Sequence, residues 1–454
     1  MNTSPFPADF LFGAATAAYQ IEGGATADGR GPSIWDTFSH KPGRVLCDHN
    51  GDVSIDHYHR YKDDVQLMKW LGLKAYRFSI SWSRVMPEGA GRVNEKGIDF
   101  YDRLVDELLE NGIQPWATLF HWDLPQALQD NYGGWANKLI ADDFAEYAGV
   151  ISHRLSDRVQ NFFTMNEFYC FVDKGYSMGE VFDAFAPGLK LPRQEVNQTR
   201  HWALLAHGKA VQALRAHGKQ SLNIGIADNP GVACPIIETE EHIAAARTAF
   251  REINASVLTA IMEGKYLETY LEREGADAPV FTEEEMKIIS SPLDFVGANM
   301  YTPTLVEATD TTKEGFRGVP FSESHPKFHM PWLNMGPQIT YWSSRFVKEL
   351  WDVKAFYITE NGCAADDRPA FDGRVMDTDR VAYLRDHFSN AARAVSEDLP
   401  LKGYFVWSLL DNFEWAYGYT RRFGITYVNY TTMERTPKLS AHWYREVIKA
   451  GKVV

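Results

Sequence analysis

Two stretches of the sequence set a carboxylate beside a carboxamide at the end of an apolar run. "FFTMNEFYC" (residues 162–170) brings Asn166 and Glu167 together, and "AFYITENGC" (355–363) does the same with Glu360 and Asn361. Both runs have the pattern of buried strands, so each pair sits at a strand end. Glu167 and Glu360 are 193 residues apart, and one reaction can use both only in a fold that gathers strand ends. Two carboxyl groups in one cup suit cleavage of a glycosidic bond: one protonates the leaving oxygen, and the other attacks or activates water. A single Asn-Glu pair is more often a surface ion-pair partner or a loop cap, so the weight falls on its neighbours.

Those neighbours come from the elements that must position them. "RYKDDVQLMKWLG" spaces Tyr61, Val65, Met68 and Leu71 as one helix face and stops at Gly72, before strand-like "LKAYRFSISW". "IDFYDRLVDELLENG" repeats the plan with Ile98, Tyr101, Val105 and Leu108, stopping at Gly112. The same reading gives eight strands, at 11–20, 75–82, 115–122, 160–166, 222–227, 295–301, 356–360 and 403–409. Helices between them imply parallel strands with right-handed crossovers, and eight such units predict a (β/α)8 TIM barrel with its site at the C-terminal strand ends. The alternative, a doubly wound open sheet, lacks a Gly-x-Gly-x-x-Gly after its first strand. No compositional break divides residues 1–454, which read as a single catalytic domain. The predicted strands end in Gln20, His121 with Trp122, Asn166 with Glu167, Asn299 with Tyr301, Glu360, and Trp407. Amides, imidazole and carboxylates bond sugar hydroxyls in pairs, and indole faces stack on pyranose C–H groups.

Composition narrows the partner. A formal net charge of −14 disfavours nucleic acid and anionic membrane, both of which reward basic patches. A small neutral or cationic molecule is expected instead. The first basic residue is Arg30, so the apolar "FLFGAATAAY" lacks the basic flank of a secretory signal. The longest uncharged stretch, 328–344, is broken by Pro331 and Pro337 and is too polar to span a membrane. Cys47, Cys170, Cys234 and Cys363 are widely spaced, which predicts neither a zinc site nor a disulfide framework and makes the cytoplasm the expected location. His49, His57 and His59 in "DHNGDVSIDHYH" lack a matched carboxylate set and read as solvent-facing histidines, not metal ligands. "GGATADGRG" reads as a loop after the first strand, without the Lys-Ser/Thr ending of a phosphate loop. No metal or cofactor is expected.

The chain as a whole resembles glycoside hydrolase family 1, the β-glucosidase family. The likeness runs in order through "FPADFLFGAATAAYQIEGG", "YRFSISWSRVMP", "LFHWDLPQAL", "TMNE", "NMYTP", "YITENG" and "FVWSLLDNFEWAYGYTRRFG". It implies a retaining hydrolase with Glu167 as acid/base and Glu360 as nucleophile. By the same resemblance Gln20, His121, Trp122, Asn166, Trp407, Glu414 and Trp415 hold the nonreducing glucosyl unit, with Tyr301 and Arg77 against the nucleophile. Arg77 is then expected to keep Glu360 ionised and low in pKa, while Met165 and Phe168 raise Glu167 towards ~6. Asn166 is expected to bond the 2-hydroxyl. Glu414, in "DNFEWAYGY" (411–419), would accept from the 4- and 6-hydroxyls and repel a 6-phosphate; its plainer reading is a partner for Arg421 and Arg422.

Two positions depart from the family pattern. Pro and Trp usually follow the acid/base, whereas this chain has Phe168 and Tyr169; the family's Met-Gly-Trp appears as Met335, Gly336 and Pro337. Phe168, Tyr169 and Trp332 are thus the candidates for contacts to the leaving group. The leading expectation is a retaining β-glucosidase acting also on β-galactosides or β-fucosides, with some transglycosylation. A 6-phospho-β-glycosidase and an inactive sugar-binding relative are the alternatives. Retention requires the two carboxyl carbons to lie roughly 5–5.5 Å apart.

Overall fold

The structure, a computed structural model, describes residues 4–454. Eight strands form the barrel: β1 (Leu11–Ala15), β2 (Ala75–Ser79), β3 (Gln114–Phe120), β4 (Asn161–Asn166), β5 (Asn223–Asp228), β6 (Phe295–Asn299), β7 (Phe356–Asn361) and β8 (Leu401–Trp407). Every neighbouring pair is parallel, and β8 pairs back onto β1 from Leu11 opposite Gly403 to Ala15 opposite Trp407, which closes the ring. All eight predicted strands are present, mostly shorter at their C-terminal ends. Residues 16–20 are not strand: the chain turns into a short helix, Ala18–Ile21, which carries Gln20. The helix His57–Leu71 stops at Gly72 (φ 82°), as the glycine requires.

The barrel interior is layered. Trp116 of β3 lies at its centre, with the rings of Phe163, Phe295, Tyr357 and Phe405 between 4.9 and 5.7 Å away. Gly13 of β1 has no side chain because Phe405 fills its place; a Cβ there would stand 2.5 Å from that ring. Above this aromatic floor the layer turns polar, with Arg77, Thr118, Asn299 and Thr359 all buried. Strict alternation would send Asn166 and Glu360 outward, since Phe163 and Thr359 face in. Both strands break register at that point: β4 slips against β5 between Phe163 and Asn166, and β7 slips against β6 between Ile358 and Glu360. These bulges turn the two strand ends inward.

The segments beyond β7 and β8 are held by a buried ionic cluster. Lys438, fully buried, reaches Asp367 (2.6 Å) and Asp411 (2.7 Å), while Arg380 takes Asp367 (2.7 Å) and Arg422 takes Asp411 (2.6 Å). This cluster anchors the base of the 411–422 segment. Lys438→Met removes one cation and leaves its carboxylates undercompensated, so it should cost about 3–5 kcal/mol. A urea titration by far-UV circular dichroism measures that as a lowered midpoint at unchanged slope.

Candidate active site

A cavity of about 360 Å³ opens at the C-terminal end of the barrel, lined among others by Glu167, Glu360, His121, Trp122, Trp407 and Glu414. Arg77 supports its floor. The guanidinium rests 5.0 Å from the Phe163 ring and donates to Thr118 Oγ1 (3.1 Å), Asn166 Oδ1 (2.5 Å), the Thr359 carbonyl (3.2 Å) and Glu360 Oε1 (2.7 Å). Tyr301 donates to the other Glu360 oxygen at 2.8 Å. Glu167 is held differently: Asn299 Nδ2 donates to Oε1 at 2.7 Å and the Cys170 thiol to Oε2 at 3.0 Å. No cation touches it directly. Asn299 also hydrogen-bonds to Glu360, so one carboxamide serves both carboxyl groups.

Electrostatics separate the two. Burial, and then the charge of Glu360, push Glu167 up to about 8. That exceeds the expected ~6 for a carboxyl in an apolar pocket, because a second carboxylate adds to the burial. Burial also raises Glu360 above the ordinary carboxylate range, against the lowering effects of Arg77, Tyr301 and Asn299. The expected depression of Glu360 by Arg77 is therefore corrected: a guanidinium shared among groups of four strands offsets desolvation only in part. The shared proton resides on Glu167, which has no cation beside it.

The glycone candidates converge. Gln20 Nε2 donates to the Phe413 carbonyl (2.8 Å), Asn412 Oδ1 (3.1 Å) and, at 3.5 Å, Glu414 Oε2. Asn166 Nδ2 meets His121 Nε2 at 3.1 Å, and Trp122 Nε1 donates to the Asn166 carbonyl at 2.8 Å. Burial, then Arg77, hold the His121 pKa well below its usual value, so the ring is neutral. Its Nδ1 and the Gln20 Oε1 are buried without a partner, which leaves one hydrogen-bonding atom on each for a hydroxyl. Trp407 and Trp415 flank the His121 ring at 5.8 and 6.0 Å. Trp122 (φ 80°), Glu167 (φ 50°) and Trp415 (φ 44°) all adopt left-handed backbone, a strain that concentrates at functional sites.

Several expectations need correction. Phe168 is fully buried, with its ring 5.5 Å from Phe171, and does not line the cavity; Tyr169 and Trp332 do. Glu414 does not pair with the arginines, because Arg422 binds Asp411 and Arg421 bonds Thr420 beneath Tyr417. Burial and the charge of Glu360 push Glu414 up to about 8, so its repulsion of a phosphate is weaker than a fixed charge would give. His57 is not solvent-facing but buried on Asp64 at 2.8 Å, and His49 is partly covered, accepting from the Tyr419 N–H at 3.0 Å; His59 is exposed. Cys170, Lys174 and Asp183 line the cavity and were missed. Lys174 follows Glu167 by seven residues, but Glu167 is left-handed and a wide helical turn lies between them, so no helical periodicity marks it.

The glycosyl hydrolase family 1 profile matches residues 2–453. This chain belongs to glycosyl hydrolase family 1. Beta-glucosidase A of Thermotoga maritima is 47% identical, over 99% of both chains. A 1,4-beta-D-glucan glucohydrolase of Thermotoga neapolitana is 46% identical, over 98% of each. Among solved structures, the family 1 β-glucosidase of T. maritima in complex with isofagomine lactam superposes with a TM-score of 0.90 at 45% identity, covering 100% of both chains.

The raised carboxyls of this family 1 site also tie its stability to pH. A buried carboxyl with a folded pKa of about 8 stabilises below its unfolded value of roughly 4.3 and loses that contribution as pH rises towards 8. Glu414→Gln removes the titration while keeping the shape. Its melting temperature relative to the parent should therefore climb steadily between pH 5 and 8.5, as read by differential scanning fluorimetry at matched ionic strength.

Proposed function

We propose that this chain is a retaining β-glucosidase that removes terminal nonreducing β-D-glucosyl residues, including those of cellobiose, and that it also takes β-galactosides and β-fucosides. The observation that carries the reading is the asymmetry of the two carboxyls. Glu360 holds Arg77 and Tyr301, which suits the group that must be ionised. Glu167 holds only neutral donors and a raised pKa, which suits the group that must carry a proton at neutral pH.

The two steps follow from that asymmetry. Glu360 attacks the anomeric carbon as the bond to the leaving oxygen breaks, and Glu167 gives that oxygen its proton. Esterified Glu360 is no longer charged, so the main electrostatic cause raising Glu167, after burial, disappears. Glu167 becomes the stronger acid's conjugate at the moment it must act as base: it takes a proton from water, whose oxygen attacks the anomeric carbon and frees Glu360. A sugar hydroxyl in place of water gives transglycosylation. Asn166 is assigned to the 2-hydroxyl, with Gln20, His121, Trp122, Trp407, Glu414 and Trp415 around the remaining edge. Arg421 and Arg422 are turned away from Glu414, and Lys174, whose charge does reach it, is already paired with Asp183, which favours unphosphorylated sugar. The four cysteines are free, which suits a reducing cytoplasm, and no helix among the described residues is long and apolar enough to cross a membrane. One catalytic domain spans residues 1–454.

Glu360→Ala should abolish turnover of every substrate, because no ester can form. Glu167→Ala should lose about 10²–10⁴-fold on alkyl glucosides and far less on 2,4-dinitrophenyl β-glucoside, whose leaving group needs no proton. Added azide should restore Glu167→Ala and yield β-glucosyl azide, detected by mass spectrometry. Equal and unrescued loss in both variants refutes the assignment.

A further inference from the structure

After Glu167 the chain makes a wide helical turn, Tyr169–Asp173, and a short helix, Lys174–Tyr176, then runs out over the cavity mouth and returns at Phe185. The excursion is clamped at its base, where Phe185 N–H donates to the Lys174 carbonyl (3.0 Å) and Leu189 N–H to that of Gly175 (2.9 Å). Within it, the Lys174 ammonium stands 4.0 Å from the Phe185 ring and 2.8 Å from Asp183 Oδ2. The side chains are only 13% and 28% exposed, unlike the surface pair Lys354–Asp352 at 78% and 77%. Phe185 in turn packs on Trp122 at 5.1 Å and Trp415 at 6.2 Å. A half-desolvated ion pair is thereby mounted directly on the wall that holds the glucosyl cup.

The pair bonds neither Glu167 nor Glu360, although its charges reach Glu414, and its cost in desolvation is not offset by packing alone. We propose that Lys174 and Asp183 are specificity-determining residues for the leaving group, and that they select a second sugar ring over an aromatic one. The proposal rests on the β-glucosidase reading above. The rim offers two chemistries. Tyr169 (55% exposed) and Trp332 (39% exposed, edge-on to Tyr301 at 5.6 Å) present aromatic faces, the chief contact that a nitrophenyl or other aryl ring can make.

A pyranose leaving group needs those faces for its C–H groups and something else for its hydroxyls. Each hydroxyl both donates and accepts, so adjacent equatorial hydroxyls are matched by a donor and an acceptor a few ångströms apart. Lys174 and Asp183 provide that spacing. The ammonium has three N–H donors and the carboxylate about four acceptor sites, so each can keep its partner and still bond the sugar. Charge-assisted bonds of this kind are the stronger ones, and partial burial shields them from water.

The test compares kcat/KM for cellobiose with that for 4-nitrophenyl β-glucoside in the parent, Lys174→Met, Asp183→Asn and the double variant. The cellobiose-to-nitrophenyl ratio should fall about ten- to hundredfold in each single variant, mostly through KM for cellobiose. The double variant should fall little further, because either change disables the pair. Released glucose should also inhibit nitrophenyl glucoside turnover less strongly in the variants, since it leaves through the same place. Lys174→Arg keeps the charge and should recover most of the ratio, which separates loss of the pair from loss of fold. An unchanged ratio in Lys174→Met and Asp183→Asn overturns the proposal while leaving the β-glucosidase reading intact. A parent inactive on both substrates overturns that reading, and the proposal with it.

Discussion

The site depends on a cation buried at the centre of the barrel. Arg77 is 1% exposed, and a guanidinium in that position is tolerable only if acceptors surround it. Its acceptors come from strands β3, β4, β6 and β7: Thr118, Asn166, Asn299, Thr359 and Glu360. Each of these residues is thus fixed by the need to satisfy one donor fork. The aromatic ring of Phe163 beneath it keeps the fork from sinking and adds a cation–π contact. Because Arg77 reaches Glu360 and not Glu167, the same interaction that organises the polar layer makes two chemically identical side chains different.

The cup works against its own solvation. Glu167, Glu360 and Glu414 are all buried with raised pKa values, and the charge of Glu360 raises the other two while that of Glu167 raises Glu414. Left-handed backbone at Trp122, Glu167 and Trp415 adds local strain of order 1–3 kcal/mol per residue. The surrounding barrel over-determines these conformations: Glu167 N–H is bonded to the Ala227 carbonyl at 2.9 Å, and Trp122 Nε1 to that of Asn166. A preorganised cup of this kind does not rearrange when charge develops at the anomeric carbon, which is where its electrostatic advantage lies.

Most of the cup was legible in sequence because it is made by strand ends, whose convergence follows from the barrel once eight strands are counted. Glu167, Glu360, Asn166, His121, Trp122 and Trp407 are all of this kind. What was not legible came from three physical sources. Side-chain direction next to a bulge does not follow alternation, so Phe168 looked like a rim residue and proved to be core. Burial depends on tertiary packing, so the pKa of Glu360 and of Glu414 had a direction that pairwise charge reasoning missed, and His57 was read as solvated when it is buried on Asp64, which Arg435 also holds. Loop excursions bring together residues with no shared periodicity, as Lys174 and Asp183 show.

That last division has a mechanistic consequence. The residues assigned to the chemistry are bound into the barrel's hydrogen-bond network, where replacing one leaves its partners unsatisfied in the interior. The rim residues are not: Tyr169 and Trp332 are partly exposed, and the Lys174–Asp183 pair is carried by a loop segment whose outer part is held by side-chain contacts such as Arg44 with Glu180 and Phe182 with Tyr417. On the proposed assignment, substitution at the rim changes which leaving group is favoured without removing any group bonded to Arg77 or to the carboxyl pair it distinguishes. The two departures from the family pattern, after Glu167 and at Pro337, both fall on segments that feed this rim, through Tyr169 and Trp332. They alter the part of the site whose variation the barrel does not resist.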